Sequence, residues 1–213
     1  MGRHAAKGWR ALKMTVIQAI HHIGRLVFTT REIAGLTSGS MSSTTQSLKR
    51  LEQQKVIKKI FQGVWAFAYD KRFSPFLIIP YLMPNHRAYL SFISALHIHG
   101  VIGQIPQVIT VASTGHTKVI KTPVGTFDVH QMSPDLFAGF DWDGSGGYLL
   151  AEPEKAFVDC LYLASRKGRR FGNFPEINTE RLDQKLLKGW MRKINDKKIR
   201  SAVLNRAQKI LSL

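Results

Sequence analysis

The chain of 213 residues carries a formal net charge of +17, from 31 Lys and Arg against 14 Asp and Glu. Such an excess predicts a polyanion or an anionic surface as partner. The single cysteine, Cys160, excludes a disulfide framework and a cysteine-based zinc site. Because no apolar run has the length of a signal peptide or a membrane span, we expect a soluble, cytoplasmic protein without membrane contact.

The positive charge is divided between the two ends of the chain. Residues 1–70 hold 11 basic and 3 acidic residues, and residues 152–213 hold 15 and 7. Residues 71–151 hold only 5 and 4. Two basic ends around a near-neutral middle predict two separate contact regions.

The chain begins with a predicted helical unit. Residues 1–8 form a basic tail, and apolar side chains at helical spacing over residues 9–23 predict a first helix, which Gly24 ends. Thr29 is expected to start a second helix. With Glu32 three positions on, it fits the capping box, in which each side chain satisfies a free backbone donor of the other residue.

A turn of small residues and a third helix follow. Residues 35–40 break the second helix, and Ser40 is the predicted N-cap of the next one. Strands at 56–60 and 64–69 form a hairpin, with which a short strand at 27–28 is expected to pair. This order is that of a winged helix-turn-helix, predicted over residues 1–72. The core face of the third helix is expected to carry Met41, Leu48, Leu51 and one of Thr44 and Thr45.

The outward face of the third helix and the hairpin are the candidate DNA interface. A helix fits the major groove, short hydroxyl side chains let its backbone approach phosphates, and an arginine can read a guanine edge through two hydrogen bonds. A basic unit of this kind can also serve only for packing or protein docking, and that alternative is the weaker one here. The candidate residues are Ser40, Ser42, Ser43, Thr44, Gln46, Ser47, Lys49, Arg50, Lys58, Lys59 and Gln62.

The remainder is predicted as an extended, proline-rich linker at 73–84 and a C-terminal domain at 85–213. In this domain we expect a helix over 85–100, a flexible loop at 141–147 and a helix over 152–165. Short strands fill the middle, at 107–112, 118–121, 126–131 and 148–150, and two amphipathic helices end the chain. The predicted fold class is therefore α+β, with a winged helix-turn-helix followed by an α/β domain that has a small, mostly antiparallel sheet and C-terminal helices.

The two terminal helices carry a second basic surface. An amphipathic helix with a solvated charged face is the common explanation for such a pattern, and the excess of one sign favours a surface that faces phosphates. Both alternatives stay open from the sequence. The surface consists of Lys185, Lys188, Arg192, Lys193, Lys197 and Lys198.

The pattern of possible catalytic residues does not match a known enzyme class. Glu154 and Lys155 invite comparison with metal-dependent nucleases, but the acid expected two positions before the lysine is replaced by Pro153. His97 and His99 are two residues apart, so on one helix they cannot chelate a metal together. We therefore expect no enzyme activity, no metal and no cofactor, and a nuclease is the less favoured alternative.

Three segments resemble a known family. YLSFISALHIHG at 89–100 and AEPEKAFVD at 151–159 are similar to the two signature segments of AbiEi-type antitoxin/transcriptional regulators, and KKIFQGVWA at 58–66 is similar to their wing. The resemblance spans residues 10–165. It implies a repressor of its own operon that reads inverted repeats in double-stranded DNA. It also implies an antitoxin that counters a nucleotidyltransferase-type toxin without forming a stable complex with it. In that family the C-terminal domain is required for the antitoxin effect.

Alternatives to that role remain. An orphan regulator that has lost its toxin would have the same sequence features. A binding module that contacts RNA or a protein through the C-terminal helices would also carry the second basic surface. The oligomeric state expected from the resemblance is a monomer or a weak dimer, with cooperative binding on DNA left open.

Overall fold

The computed structural model describes residues 14–168 and 175–211. The chain divides into two compact units, Met1–Phe73 and Ser74–Leu213. The α+β class is confirmed, with a small antiparallel sheet in the first unit and a mixed sheet in the second. The predicted basic tail and the start of the first predicted helix lie outside the described residues. Among the described residues, no helix is long and apolar enough to cross a bilayer.

The first unit has the element order of a winged helix-turn-helix. Its three strands form one antiparallel sheet in the order β1-β3-β2, so the predicted pairing of the short first strand with the wing is confirmed. The elements are α1 Val16–Ile23, β1 Val27–Thr29, α2 Thr30–Thr37, α3 Met41–Gln53, β2 Lys58–Phe61 and β3 Val64–Ala66.

Local signals set the helix ends in this unit. Thr29 and Glu32 form the predicted capping box at the start of α2, and Thr15 and Gln18 form a second one at the start of α1. Gly24, at φ 65°, ends α1 in the left-handed conformation that favours glycine. Each helix therefore starts or stops at a residue that satisfies its free backbone groups.

A small apolar core joins the three helices to the sheet. Phe28, Ile33, Leu48 and Trp65 are buried together in it, and the Trp65 indole N–H donates to the Thr30 hydroxyl at 2.9 Å. The prediction that Met41 faces this core is wrong, because its side chain is 50% exposed. Met41 is the first residue of α3, and the buried stripe begins one turn later at Thr44.

The second unit is built on a six-stranded mixed sheet in the order β6-β7-β5-β4-β9-β8. Three neighbouring pairs are antiparallel, and two pairs, β5 with β7 and β4 with β9, are parallel. The strands are β4 Ala88–Leu90, β5 Ile109–Ser113, β6 Lys118–Thr122, β7 Gly125–Gln131, β8 Phe140–Trp142 and β9 Leu149–Ala151. The helices are α4 Ile79–Leu82, α5 Phe92–Ile98, α6 Pro153–Arg166, α7 Gln184–Arg192 and α8 Lys197–Leu211.

The helix α6 is the centre of this unit. Ten of its fourteen residues are buried, which a helix reaches only when it is covered on nearly all sides. α5, α7 and α8 all pack against it. Pro153 lies in the first turn of α6. A backbone N–H at that position has no partner within the helix, so the missing N–H of proline costs no hydrogen bond.

Three predictions for this unit are wrong. The proline-rich linker is not extended: Pro75–Ile78 form a 3-10 turn and α4 follows, because Pro75 and Pro80 stand at first-turn positions that proline tolerates. The helix expected over 85–100 begins only at Phe92, after β4. The loop expected at 141–147 starts with the edge strand β8, which pairs with β9.

Candidate nucleic-acid interface

A tight turn connects α2 to α3, the third helix of the winged unit. Ser38 adopts the left-handed conformation after α2, and Gly39 follows it. A Cβ at Gly39 would lie 3.1 Å from the Thr37 hydroxyl and 3.2 Å from the Thr44 hydroxyl, so a larger residue would require these side chains to shift by a few tenths of an ångström. Ser40 then caps α3 as predicted, accepting a hydrogen bond from the Ser43 N–H at 3.1 Å.

Four exposed side chains form a stripe along α3. Ser42, Gln46, Lys49 and Arg50 follow one another at intervals of four, three and one residues, which places them on one helix face. Within the described part of the chain, none of the four side chains takes part in a hydrogen bond or an ion pair. This recognition stripe therefore presents hydroxyl, amide, ammonium and guanidinium groups whose hydrogen-bonding capacity is unused.

The other predicted hydroxyl groups are differently placed. Ser43 and Ser47 are turned back onto the helix, where they donate to the carbonyls of Ser40 and Ser43 at 3.1 and 3.2 Å. Thr44 is 3% exposed, so its predicted contact with DNA is wrong. The side chain of Thr44 packs at the junction with α2, which the sequence already allowed as one of its two roles.

The wing carries two lysines and a polar tip. β2 and β3 meet at a turn in which Gln62 is exposed and Gly63 has φ 76°. Lys59 pairs opposite Trp65, and its Nζ lies 5.9 Å from the centre of that ring. Because successive strand residues point to opposite faces, Lys58 and Lys59 do not share one surface.

Acidic groups in the winged unit are tied up internally. The side-chain hydrogen bond from Arg72 lowers the pKa of Asp70 to about 2. Burial raises the pKa of Glu32, but the hydrogen bonds from Thr29 and Arg25 together outweigh burial, so the pKa is lowered. Glu52 accepts the Lys59 backbone N–H at 2.8 Å.

These are the three acids of residues 14–73. Two of them are paired with Arg25 and Arg72, and within the described residues the lysines of this range form no ion pair with a carboxylate. Arg31 on α2 and Lys55 after α3 are both exposed, and both are absent from the sequence-predicted set. In a helix-turn-helix the first helix crosses the DNA backbone, and that rule could have drawn attention to Arg31.

The second predicted surface lies on α7 and α8. All six of its residues are exposed, while Leu187, Trp190 and Met191 turn the opposite side of α7 into the core. Because the apolar side of α7 is packed in the core, the charged residues of α7 lie on its solvent-exposed side.

The winged unit also matches a known family. Residues 8–73 match the Firmicute plasmid replication protein family, RepL. No curated protein matches the chain significantly. The RepL match spans 66 of the 213 residues and ends where the first compact unit ends. It supports a DNA-binding regulator and gives no support to the AbiEi resemblance in particular.

Outside the RepL match, the most unusual chemistry is a buried ion pair. Lys155 of α6 pairs with Asp159 one turn later, and Lys155 also donates to the Tyr89 hydroxyl at 2.9 Å. Asp159 accepts from Tyr89 at 2.9 Å and from Ser91 at 2.7 Å. Burial raises the pKa of Asp159 and lowers that of Lys155, each against the attraction of the other. The pair holds α6 to β4.

The neighbouring candidate groups are also engaged in the fold. Glu154 is buried and accepts the Asp183 N–H at 2.8 Å, at the start of α7. His99 contacts the Ala151 carbonyl through Nε2 at 2.7 Å. In the described ranges, no group of three His, Cys, Asp or Glu residues is arranged to hold a metal ion. Glu154 thus connects α6 to the start of α7, and His99 connects the end of α5 to β9.

Proposed function

We propose that the protein is a sequence-specific DNA-binding regulator that represses its own operon through the winged unit. The observation that carries the proposal is the recognition stripe, Ser42, Gln46, Lys49 and Arg50. These side chains are exposed, have no protein partner in the described residues and belong to the helix that enters the major groove in this fold. The RepL match over the same unit supports DNA as the partner.

We propose different tasks for the members of the interface. Arg50 suits a guanine edge and Gln46 an adenine edge, because each can form two hydrogen bonds with its base. Lys59 and the wing tip suit phosphates, which position the protein without reading sequence. Asp70 and Glu32 are each paired with an arginine, so they repel phosphate less than free carboxylates would.

The test is a binding titration on the gene's own upstream region and on a scrambled duplex. We expect the wild-type protein to prefer the upstream region and to protect an inverted repeat there, each half bound by one protomer. Gln46→Ala should reduce this preference, whereas Gln53→Ala, an exposed glutamine at the end of the same helix, should leave it unchanged. Equal binding of both duplexes by the wild type would reject sequence-specific autoregulation.

For the second unit we propose an antitoxin role that needs no enzyme activity. The specific observation behind it is that the segments 89–100 and 151–159, which resemble the AbiEi family, pack together. β4 pairs with β9 through Leu90 and Leu150, and Tyr89 and Ser91 bond to Asp159. An adjacent nucleotidyltransferase-type gene, expressed alone, should inhibit growth. Co-expression of the present protein should restore growth. Failure to restore growth, with the protein folded and present, would leave only an orphan regulator.

The RepL match favours one alternative use of the same interface. Its family is described as a plasmid replication protein, so the winged unit could bind a replication origin instead of a promoter. A plasmid whose copy number depends on this chain, together with protection of its origin and not of the upstream region, would support that alternative. Cleavage of DNA or RNA in the presence of Mg²⁺ or Mn²⁺ would instead support a nuclease.

A further inference from the structure

The last two helices of the second unit present one sign of charge. Over residues 184–211 there are nine Lys and Arg but one acid, Asp196. The Asp196 carboxylate accepts the Ile199 N–H at 3.0 Å and so is engaged at the start of α8. Within the described residues, none of the six side chains of the second basic surface forms an ion pair.

The helix packing decides where these charges point. α7 buries Leu187 and Trp190, so Lys185, Lys188 and Arg192, at intervals of three and four residues, lie on its exposed side. Along the helix axis they span about 10 Å, at 1.5 Å per residue. That length is enough for a row of separate phosphate contacts.

Three of the lysines occupy positions that weaken the helices themselves. Lys185 is in the first turn of α7, and Lys197 and Lys198 open α8, with no acid inside either first turn. The start of a helix is its positive end, where cations are destabilising. The Asp183 and Asp196 carboxylates at the two helix starts offset part of this cost, and an anion that binds there would offset more. Breaks in a local rule of this kind concentrate at functional sites.

A further member of the surface is held in place by the core. The Lys193 Nζ lies 3.7 Å from the centre of the Trp190 ring, a cation–π contact. Trp190 is itself packed over Gly139, where a Cβ would overlap the ring and lie 3.0 Å from Lys155 Cγ. An ammonium group fixed before binding loses less conformational entropy when a phosphate arrives.

We propose that this surface binds the phosphate backbone of duplex DNA without reading its sequence. The surface consists of Lys185, Lys188, Arg192, Lys193, Lys197 and Lys198. The inference rests on the proposed function only for the choice of duplex DNA as the polyanion. Each phosphate that a protein neutralises on B-DNA adds about 0.9 to the slope of log K against log salt. The surface should therefore be visible as part of the salt slope of the full-length protein.

The experiment titrates a scrambled duplex at several salt concentrations with three full-length proteins. They are the wild type, the variant Lys185→Gln/Lys188→Gln/Arg192→Gln, and the control Lys118→Gln/Lys121→Gln/Lys167→Gln, which removes three exposed charges elsewhere in the same unit. The α7 variant should lose at least tenfold in affinity at low salt, and its slope should fall by about 2 to 3, at about 0.9 per phosphate. The control slope should change by less than 1.

A second variant guards against a folding defect. Lys197→Gln/Lys198→Gln should lower the slope by about 1 to 2, at about 0.9 per phosphate, while its melting temperature stays equal to that of the wild type or rises. Equal loss of slope in the α7 variant and the control would overturn the proposal, because the effect would then be general charge. A slope change seen only with structured RNA would also overturn it.

Failure of the proposed function is distinguishable from failure of this inference. If the wild type shows no preference for its upstream region, base reading by the winged unit is rejected. The salt slope on the scrambled duplex still decides whether the α7–α8 surface binds phosphates.

Discussion

Replacing Lys155 by methionine tests the role of the buried ion pair. The substitution keeps an unbranched apolar side chain and removes the ammonium that donates to Asp159 and to Tyr89. Asp159 is 1% exposed, so solvent cannot replace the lost partner. The Asp159 carboxylate retains only the hydroxyl donors of Tyr89 and Ser91.

The expected loss of stability is large. Removing one partner of a buried pair leaves an uncompensated charge, which costs about 3–5 kcal/mol in unfolding free energy. For a chain of this size that corresponds to a fall in melting temperature on the order of 10 °C. Lys155→Met/Asp159→Leu should recover part of the loss, because it leaves no charge buried alone. The unpaired hydroxyls of Tyr89 and Ser91 would keep a remainder of about 1–3 kcal/mol.

The loss should also depend on pH in a defined direction. In the wild type, burial raises the pKa of Asp159 above its usual value against the attraction of Lys155, and the variant has no such attraction. A carboxyl whose folded-state pKa lies above its unfolded-state pKa binds its proton at a higher pH in the folded state than in the unfolded state. The deficit of Lys155→Met should therefore be full above the folded-state pKa and shrink as the pH falls through it.

The assay is urea unfolding, followed by tryptophan fluorescence at several pH values. Trp190 lies 5.7 Å from the Lys155 Nζ and so reports on the same part of the second unit. The control is Lys118→Met, on the exposed face of β6, which should change stability by less than about 0.5 kcal/mol. A Lys155→Met protein as stable as this control, or one whose deficit grows as the pH falls, would refute the reasoning.

The remaining predictions concern binding and domain independence. Arg50→Ala should cost about 1–3 kcal/mol on the upstream site and flatten the preference at one base position, as measured by titrations on single-base variants; equal losses on scrambled DNA would make it a phosphate contact. Lys59→Ala should weaken binding to both duplexes and lower the salt slope by about 1. Residues 1–73 should fold alone and bind DNA more weakly than the full chain, as seen by circular dichroism and titration. Glu154→Gln, which removes no surface charge that faces DNA, should leave DNA affinity within twofold, and a larger change would tie α6 to the interface.

The winged unit was predictable because its signals are local. Ser40 caps α3, the Thr29–Glu32 box starts α2, and both act within three residues of sequence. The exposed recognition stripe follows directly from helical spacing. Thr44 was ambiguous because hydroxyl residues serve both cores and surfaces. Only the three-dimensional packing against α2 decides its place.

The second unit was harder because its elements depend on distant partners. Tyr89 stands three residues before Phe92, so the sequence predicts a helix there, but pairing with β5 and β9 draws Tyr89 and Leu90 into a strand buried on both faces. Periodicity cannot separate such a strand from a buried helix. Lys155 and Asp159 stand one helical turn apart in the sequence, yet nothing local indicates Tyr89 and Ser91 as their partners.

The close contact at Gly139 has a genetic consequence. Its carbonyl accepts the Glu152 N–H at 3.0 Å, its φ is 76°, and the space where its side chain would stand is filled by Trp190 and Lys155. Any substitution there displaces the ring over which Lys193 lies. We therefore expect substitutions at position 139 to give temperature-sensitive alleles, because they weaken the packing of α7, although no charged residue has been altered. Such alleles would separate the contribution of the terminal helices from that of the winged unit in a living cell.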